Sequence, residues 1–129
     1  MSKARDFGAA KTLVARLSNE KRLKEPVLFE FATQRKYEET IAALAELSKS
    51  SVEIVRPLMQ SLRSDGILIP CKVAGLSWET VIAILDCRFS TGSTGPDELS
   101  KLKARFGKLT DEEAKRLLSL WRVRSGSSS

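Results

Sequence analysis

Histidine is absent from the 129-residue chain, and cysteine occurs only twice. Without histidine there can be no Ser–His–Asp or Cys–His catalytic unit, no histidine-ligated zinc and no phosphohistidine carrier. Two cysteines are too few for a four-cysteine zinc site. A glycine-rich phosphate loop and a G-x-S-x-G nucleophile motif are missing as well. We therefore expect no enzymatic activity, no cofactor and no bound metal.

Long apolar segments are also missing. A membrane-spanning helix needs about 20 consecutive apolar residues, and the N-terminal stretch MSKARDFGAAKTL lacks the apolar core of a secretory signal. Cys71 and Cys87 lie in apolar surroundings, so we interpret them as buried free thiols rather than as a disulfide. These features predict a protein of the reducing cytoplasm that does not associate with membranes.

The residues that are present describe a small basic domain. Apolar residues make up 42% and charged residues 29%, which is typical of one globular domain. The net charge is +6, and it is unevenly spread. Residues 1–36 carry nine basic and four acidic side chains, residues 37–75 carry four and five, and residues 76–129 carry nine and seven. A positive field attracts anionic partners, but there is no run of five or six basic residues.

The apolar residues recur at helical spacing along most of the chain. The pattern predicts an all-α domain of about six to seven short helices over residues 1–124, followed by a flexible tail at 125–129. A flexible loop is predicted at 90–95 (STGSTG), in addition to that tail. The helix at 78–89 is apolar nearly all round and is therefore predicted to be central. The segment at 67–74 is predicted as a short helix, although Ile67 to Pro70 alone could be a strand.

Two segments have the sequence of a capping box, in which a hydroxyl and a carboxylate satisfy the free amides of a helix start. They are Ser50-Ser51-Val52-Glu53 and Thr110-Asp111-Glu112-Glu113. The first should begin a helix that runs to Arg63, with Pro57 bending it or freeing a carbonyl. The second should begin the last helix, which runs to Arg124. The core stripe of that helix is predicted to be Ala114, Leu117, Leu118 and Trp121.

A short internal similarity has an offset of 40 residues. YEETIAAL (37–44) aligns with SWETVIAI (77–84), and Glu, Thr and Ala recur in place. Paired helices with a period near 40 are typical of HEAT-type repeats. The pattern therefore indicates a small HEAT-like stack of paired helices. Chance similarity between two amphipathic helices is the alternative, and eight residues do not decide between them.

Three segments carry a resemblance to a known family: FEFATQRKYEETIAALAELS (29–48), CKVAGLSWETVIAIL (71–85) and LTDEEAKRLLSLWRVR (109–124). The chain resembles an uncharacterised bacterial family of all-helical proteins, a domain of unknown function, over about residues 10–124. The resemblance implies an α-helical, cytoplasmic bacterial protein that corresponds to the C-terminal module of longer members. It brings no known activity, cofactor or catalytic residue. Pro70 departs from the family pattern, which has an aliphatic helix former there.

The first functional hypothesis is a non-catalytic module that binds another protein or a second copy of itself. Trp and Arg are enriched in binding hot spots, and the last helix combines them with further basic residues. The predicted partner-binding residues are Lys115, Arg116, Trp121, Arg122 and Arg124. The alternative for this set is that Trp121 belongs to the core and the basic side chains are merely solvated.

The second hypothesis is DNA binding. Residues 41–68 resemble the helix-turn-helix of winged-helix regulators, and the basic composition suits nucleic acid. The reading helix would present Glu53, Arg56, Gln60 and Arg63. It is poorly charged for phosphate contacts, and no two-stranded wing is evident after Leu68.

The third hypothesis is an enzyme that depends on carboxylates. The only suggestive acids are Glu38, Glu39, Glu79 and Asp86. Glu79 and Asp86 are seven residues apart, about 10 Å along one helix, which is too far for one metal ion without other ligands. We expect these acids to be solvated.

Overall fold

Helices account for all the regular structure in the part of the chain described by the computed structural model, which is residues 7–61, 64–88 and 94–127, with side chains up to residue 123. The eight helices are α1 (Phe7–Asn19), α2 (Glu25–Thr33), α3 (Tyr37–Leu47), α4 (Val52–Gln60), α5 (Leu68–Val73), α6 (Trp78–Cys87), α7 (Pro96–Lys108) and α8 (Asp111–Ser127). The all-α prediction is confirmed. The described ranges contain eight helices, against the six to seven predicted.

The helices pack around α3, in which residues 40–45 are all buried. α3 contacts α1, α2, α4 and α5, while α2 also packs on α6. As predicted, α6 is largely buried, with apolar side chains on most of its circumference. Thr40 in α3 and its 40-residue counterpart Thr80 in α6 are both buried. Burial of this kind is common to any amphipathic helix, so the HEAT-like repeat stays a prediction.

The buried apolar side chains form two clusters. The larger one contains side chains from each of the first six helices, α1 through α6, and also Leu102 of α7. The smaller one consists of Ile54 of α4, Ile69 of α5, and Ala114 and Leu118 of α8. The smaller cluster attaches α8 to the rest of the molecule through α4 and α5.

Both cysteines are buried and free, as predicted. Burial in apolar surroundings raises the pKa of the Cys71 thiol far above its usual range, because a thiolate would lose its hydration there. The Cys87 thiol donates to the Thr40 hydroxyl at 3.7 Å. Both side chains therefore act as small core residues and not as nucleophiles.

Helix α5 shows why proline is tolerated at position 70. Leu68 is the first residue of α5, so Pro70 is the third. The amides of the first turn have no partner within the helix, and proline there removes no hydrogen bond. The predicted helix at 67–74 is confirmed, with bounds one residue shorter at each end.

Of the two predicted capping boxes, one forms. The Glu113 amide donates to the Thr110 hydroxyl at 3.1 Å, and the Thr110 amide donates to the Glu113 carboxylate at 3.2 Å. The prediction at 50–53 is wrong, because Ser51 occupies the N-cap position of α4 without a side-chain cap bond. The Glu53 carboxylate instead lies 3.4 Å from the Lys11 ammonium of α1.

Several predicted boundaries lie in or beside parts of the chain that are not described. α4 ends at Gln60, three residues before its predicted end at Arg63, which lies outside the described residues. Most of the predicted loop at 90–95 lies outside them too, although the Thr94 amide donates to the Asp86 carboxylate at 3.1 Å. α8 continues to Ser127, beyond the predicted end at Arg124, and residues 128–129 are not described.

Arg88, which directly follows α6, forms hydrogen bonds with the C-terminal end of α4. Its guanidinium donates to the carbonyl of Met59 at 3.1 Å, to the carbonyl of Ser61 and to the hydroxyl of Ser64 at 2.6 Å. Partial burial lowers the pKa of Arg88 from its usual value, while Tyr37 and Glu98 nearby raise it. The planar guanidinium thus supplies hydrogen bonds to carbonyls that the end of a helix leaves without partners.

The carboxylate of Glu25, at the start of α2, caps the start of α6. One oxygen, Oε2, accepts hydrogen bonds from the Ser77 amide at 2.9 Å, the Ser77 hydroxyl at 2.7 Å and the Thr80 hydroxyl at 2.6 Å. Partial burial alone would raise the pKa of Glu25, but these hydrogen bonds outweigh it and lower the pKa below the usual 4.5. The predicted role of Ser77 as N-cap of α6 is confirmed, although its hydroxyl bonds Glu25 and not its own helix.

We expect this cap to make stability depend on pH. Because the folded-state pKa of Glu25 is depressed, its contribution is present above the usual pKa of 4.5 and is lost as the pH falls through the lowered value. Glu25→Gln should cost about 1 kcal/mol of unfolding free energy near neutral pH, in the range of a typical net hydrogen-bond contribution. Urea titrations of both proteins should converge as the pH falls from 4.5 through the lowered pKa of Glu25. A difference that does not change with pH would contradict this role of the charge.

Within the described ranges, four helices end in a Schellman motif, each with one residue in the left-handed conformation. After α3, Lys49 has φ of 58°, its amide donates to the Glu46 carbonyl, and the Ser50 amide donates to the Ala45 carbonyl at 2.8 Å. The same pair of bonds follows α1, α2 and α5, where the left-handed residues are Lys21, Arg35 and Gly75. Three of these four positions are basic, and a cation at a helix C-terminus is favoured by the helix dipole. A side chain in this conformation nevertheless costs energy that glycine avoids.

Substitutions at two of these helix ends should change the unfolding free energy in opposite directions. Lys49→Gly should raise the unfolding free energy by about 0.5–1 kcal/mol, because glycine adopts φ of 58° without strain. Gly75→Ala should lower it by about 1 kcal/mol through backbone strain alone, because nothing lies within 4 Å of the added methyl group. Gly107→Ala, inside α7 and equally open, is the matched control and should stabilise. Urea midpoints test all three, and equal effects at Gly75 and Gly107 would refute the explanation.

Candidate functional site

Helix α8 meets the core with one face and leaves the others open. Ala114 and Leu118 are fully buried against Ile54 and Ile69, and Trp121 packs beside them while partly exposed. These three residues match the predicted core stripe. Leu117, predicted in the same stripe, is 37% exposed, so that part of the prediction is wrong. At about 100° per residue it lies at the edge of the arc that Ala114, Leu118 and Trp121 define.

Three large apolar side chains of α8 are exposed to solvent. Leu117, Leu120 and Val123 are exposed by 37%, 55% and 68%, so exposure rises along the helix. Among the described residues, the other exposed large apolar side chain is Phe29 of α2. The sequence pattern had assigned no role to Leu120 and Val123. Single exposed apolar residues are ordinary on protein surfaces, but three on one helix face form a patch of the kind that marks binding sites.

An open groove of about 480 Å³ adjoins this patch. Its lining residues come from the turn before α5, from α5 itself, from the end of α7 and from α8. They are Asp65, Gly66, Leu68, Ile69, Arg105, Lys108, Leu109, Glu113 and Trp121. Glu113 and Trp121 are each one helical turn from Leu117, so the groove and the patch share one edge of α8. Periodicity alone had not indicated this groove, because its walls come from three separate segments.

The end of α7 is fastened in place by contacts with α5 and α6. The Lys72 ammonium donates to the Phe106 carbonyl at 2.9 Å and lies 4.4 Å from the centre of the Phe106 ring. The Trp78 and Phe106 rings lie 5.8 Å apart. Arg105 is also held, since its guanidinium contacts the Asp65 carboxylate at 3.0 Å. The cationic wall of the groove is therefore positioned by packing and hydrogen bonds.

The predicted partner-binding residues do not share one face of α8. Lys115 and Arg122 are exposed and seven residues apart, so they lie on the same side. Arg116 is exposed but offset by about 100° from Lys115, toward the apolar patch. Trp121 lines the groove, and the side chain of Arg124 lies outside the described residues. The binding role of these five residues stays a prediction.

The surface needed for DNA reading is occupied by contacts with α1. Glu53 faces Lys11, and the Arg56 guanidinium lies 5.0 Å from the centre of the Phe7 ring. Gln60 is exposed, and Arg63 lies outside the described residues. Where a winged-helix protein would have a strand after residue 66, this chain has α5.

The acids considered for catalysis do not converge. Glu79 is exposed, and Asp86 accepts a hydrogen bond from the Thr94 amide. Within the described ranges, no group of three or more metal-binding side chains comes together. Those ranges also contain no helix with the length and apolarity required to cross a bilayer.

Comparison with known families identifies the family of the chain. The model of the family described as uncharacterised protein conserved in bacteria, DUF2336, matches residues 1–119. The chain belongs to this family. No curated protein and no solved structure matches it. This match confirms the resemblance to an uncharacterised bacterial family. The matched region includes the start of α8, the helix that supplies Glu113 and Trp121 to the groove.

We expect the capping box at Thr110 to stabilise the start of α8, the helix that carries the apolar patch. Thr110→Ala should lower the unfolding free energy by about 1 kcal/mol, because it leaves the Glu113 amide without its partner. Ser51→Ala is the matched control and should cost less, because Ser51 makes no such bond at the start of α4. Urea denaturation measures both, and equal losses would contradict the assignment of a cap to Thr110 alone.

Proposed function

We propose that this DUF2336 chain is a non-catalytic helical module that binds an amphipathic helix of a protein partner through α8. The observation that carries the proposal is the exposed apolar patch of Leu117, Leu120 and Val123 beside the groove. An amphipathic helix that docks in a groove uses anchors at i, i+3, i+4 and i+7. The patch runs from Leu117 to Val123, six residue steps or about 9 Å along the helix axis, which fits nearly two turns of such a helix.

The composition of the groove supports a protein ligand. Leu68, Ile69, Leu109 and Trp121 offer apolar surface, and Arg105 and Lys108 offer donors at one side. Partly buried tryptophan next to arginine is a typical hot-spot composition. On this proposal Arg116, Lys115 and Arg122 form a polar rim around the contact, which is where charges steer and select partners.

The DNA-binding alternative receives less support from the same structure. It requires a free reading face on α4 and a wing after residue 66. Lys11 and Phe7 contact that face, and α5 takes the place of the wing.

The bacterial cytoplasm is the location we propose, supported by membership of a bacterial family and by two free, buried cysteines.

Affinity capture from bacterial cytoplasmic extract tests the proposal. Leu120→Asp should reduce capture of bound protein about tenfold or more, because it removes an apolar anchor and places a charge in the contact. Ala15→Asp is the matched control, since Ala15 is an exposed residue of α1, a helix that contributes to neither the groove nor the patch, and it should capture normally. Nuclease treatment removes partners bridged by nucleic acid.

Equal capture by the two variants would show that the patch is not the binding surface. A salt-sensitive shift of duplex DNA that Leu120→Asp does not change would favour the DNA-binding alternative. Circular dichroism and urea midpoints check that both variants fold, and both should resemble the wild type because the substituted positions are exposed.

A further inference from the structure

Four residues of α8 have the spacing of a coiled-coil seam. They are Glu113, Leu117, Leu120 and Arg124, separated by four, three and four residues. This spacing is that of alternating d and a positions of a heptad, which bring successive residues to one face. α8 runs from Asp111 to Ser127, so all four positions lie within the helix. We refer to them as the α8 seam.

The α8 seam is complementary to itself in one orientation only. Its spacing is the same in either direction, and its order is acid, leucine, leucine, base. In an antiparallel pair, Leu117 of each copy is opposite Leu120 of the other, and Glu113 is opposite position 124, an arginine. In a parallel pair, acid would be opposite acid and base opposite base, which is unfavourable.

The described part of the seam is available for such a contact. Leu117 and Leu120 are exposed by 37% and 55%. Glu113 uses one carboxylate oxygen, Oε1, for both of its bonds to Thr110. Its second oxygen, Oε2, takes no part in the capping box, so the capping box and a contact with a second copy can coexist.

The ends of the helix favour the same orientation. The first turn of α8 contains Asp111, Glu112 and Glu113, while the bases Arg122 and Arg124 lie in its second half. Antiparallel packing places the acidic end of one helix beside the basic end of the other and opposes the two helix dipoles.

We propose that this chain forms a two-fold symmetric dimer in which the α8 seams of two copies pack antiparallel. The inference rests on the proposed function and specifies it, since the amphipathic helix that α8 binds is then α8 of a second copy. The contact is isologous, so each pair occurs twice. Two leucine layers make a small interface, of the size typical of transient association, below about 1,200 Å².

Sedimentation equilibrium of the whole chain, from about 10 μM to about 1 mM, measures this association. The wild type should dimerise reversibly, and Leu120→Asp should stay monomeric. Ser119→Asp should dimerise like the wild type, because Ser119 lies off the seam. A wild type that stays monomeric over the whole range overturns the dimer, and so does an equal effect of the two aspartates.

A charge reversal tests the orientation. Arg124→Glu should weaken dimerisation about tenfold or more, because it places acid opposite Glu113 in both symmetric pairs. Adding Glu113→Arg to that variant should restore it in an antiparallel pair and not in a parallel one. Thr110→Ala, which removes the cap while keeping the seam charges, should dimerise normally and so separates cap loss from charge. Failure of the double variant to recover, with its fold intact by circular dichroism, overturns the antiparallel seam.

The two proposals can fail separately. If the chain is monomeric at about 1 mM but captures another protein in a Leu120-dependent manner, the dimer is wrong and the binding role of α8 stands. If neither self-association nor capture responds to Leu120→Asp, both are wrong.

Discussion

The burial of residues 40–45 in α3 is the constraint on which the rest of the fold depends. Six consecutive residues, 40–45, are inaccessible, so other helices must cover α3 on all sides. α1, α2, α4 and α5 do so, and α6 extends the core through α2. Small alanines at positions 42, 43 and 45 let these neighbours approach closely. The two buried hydroxyls on this helix and at its end, Thr40 and Ser48, bond carbonyls of the preceding turn, so no polar group there is left unsatisfied.

Such an arrangement places α8 outside the main core. It is attached through the small cluster around Ile54 and Ile69 and is contacted by α4 and α5. A helix held on one side necessarily presents the remaining sides to solvent, and in α8 those sides carry leucine and valine as well as charge. The groove lies beside this attachment, where the end of α7, the connector residue Leu109 and α8 adjoin residues 65–69. The proposed binding surface is thus a consequence of how the core is built.

Several features of this fold were predictable because they depend on neighbouring residues along the chain. Periodicity indicated the helices, and Thr110 with Glu113 indicated a cap that forms. The equivalent prediction at 50–53 failed because Ser51 is the N-cap of α4, which puts Glu53 at the second helical position and not at the third, where a capping box needs it. Arg88 and Glu25 cap helices distant in sequence, 24 to 55 residues from their partners. No local pattern identifies such a partner, since the contact exists only after the helices have packed.

For α8 the sequence by itself determined the helix, its cap, its acidic start and its basic second half, because these depend on residues within one or two turns. Its periodicity also indicated one core stripe of Ala114, Leu117, Leu118 and Trp121. Only the tertiary structure decided where the buried arc ends, since Leu117 is exposed together with Leu120 and Val123. Burial depends on the surface that a second element offers, and Ile54 and Ile69 pack against Ala114 and Leu118.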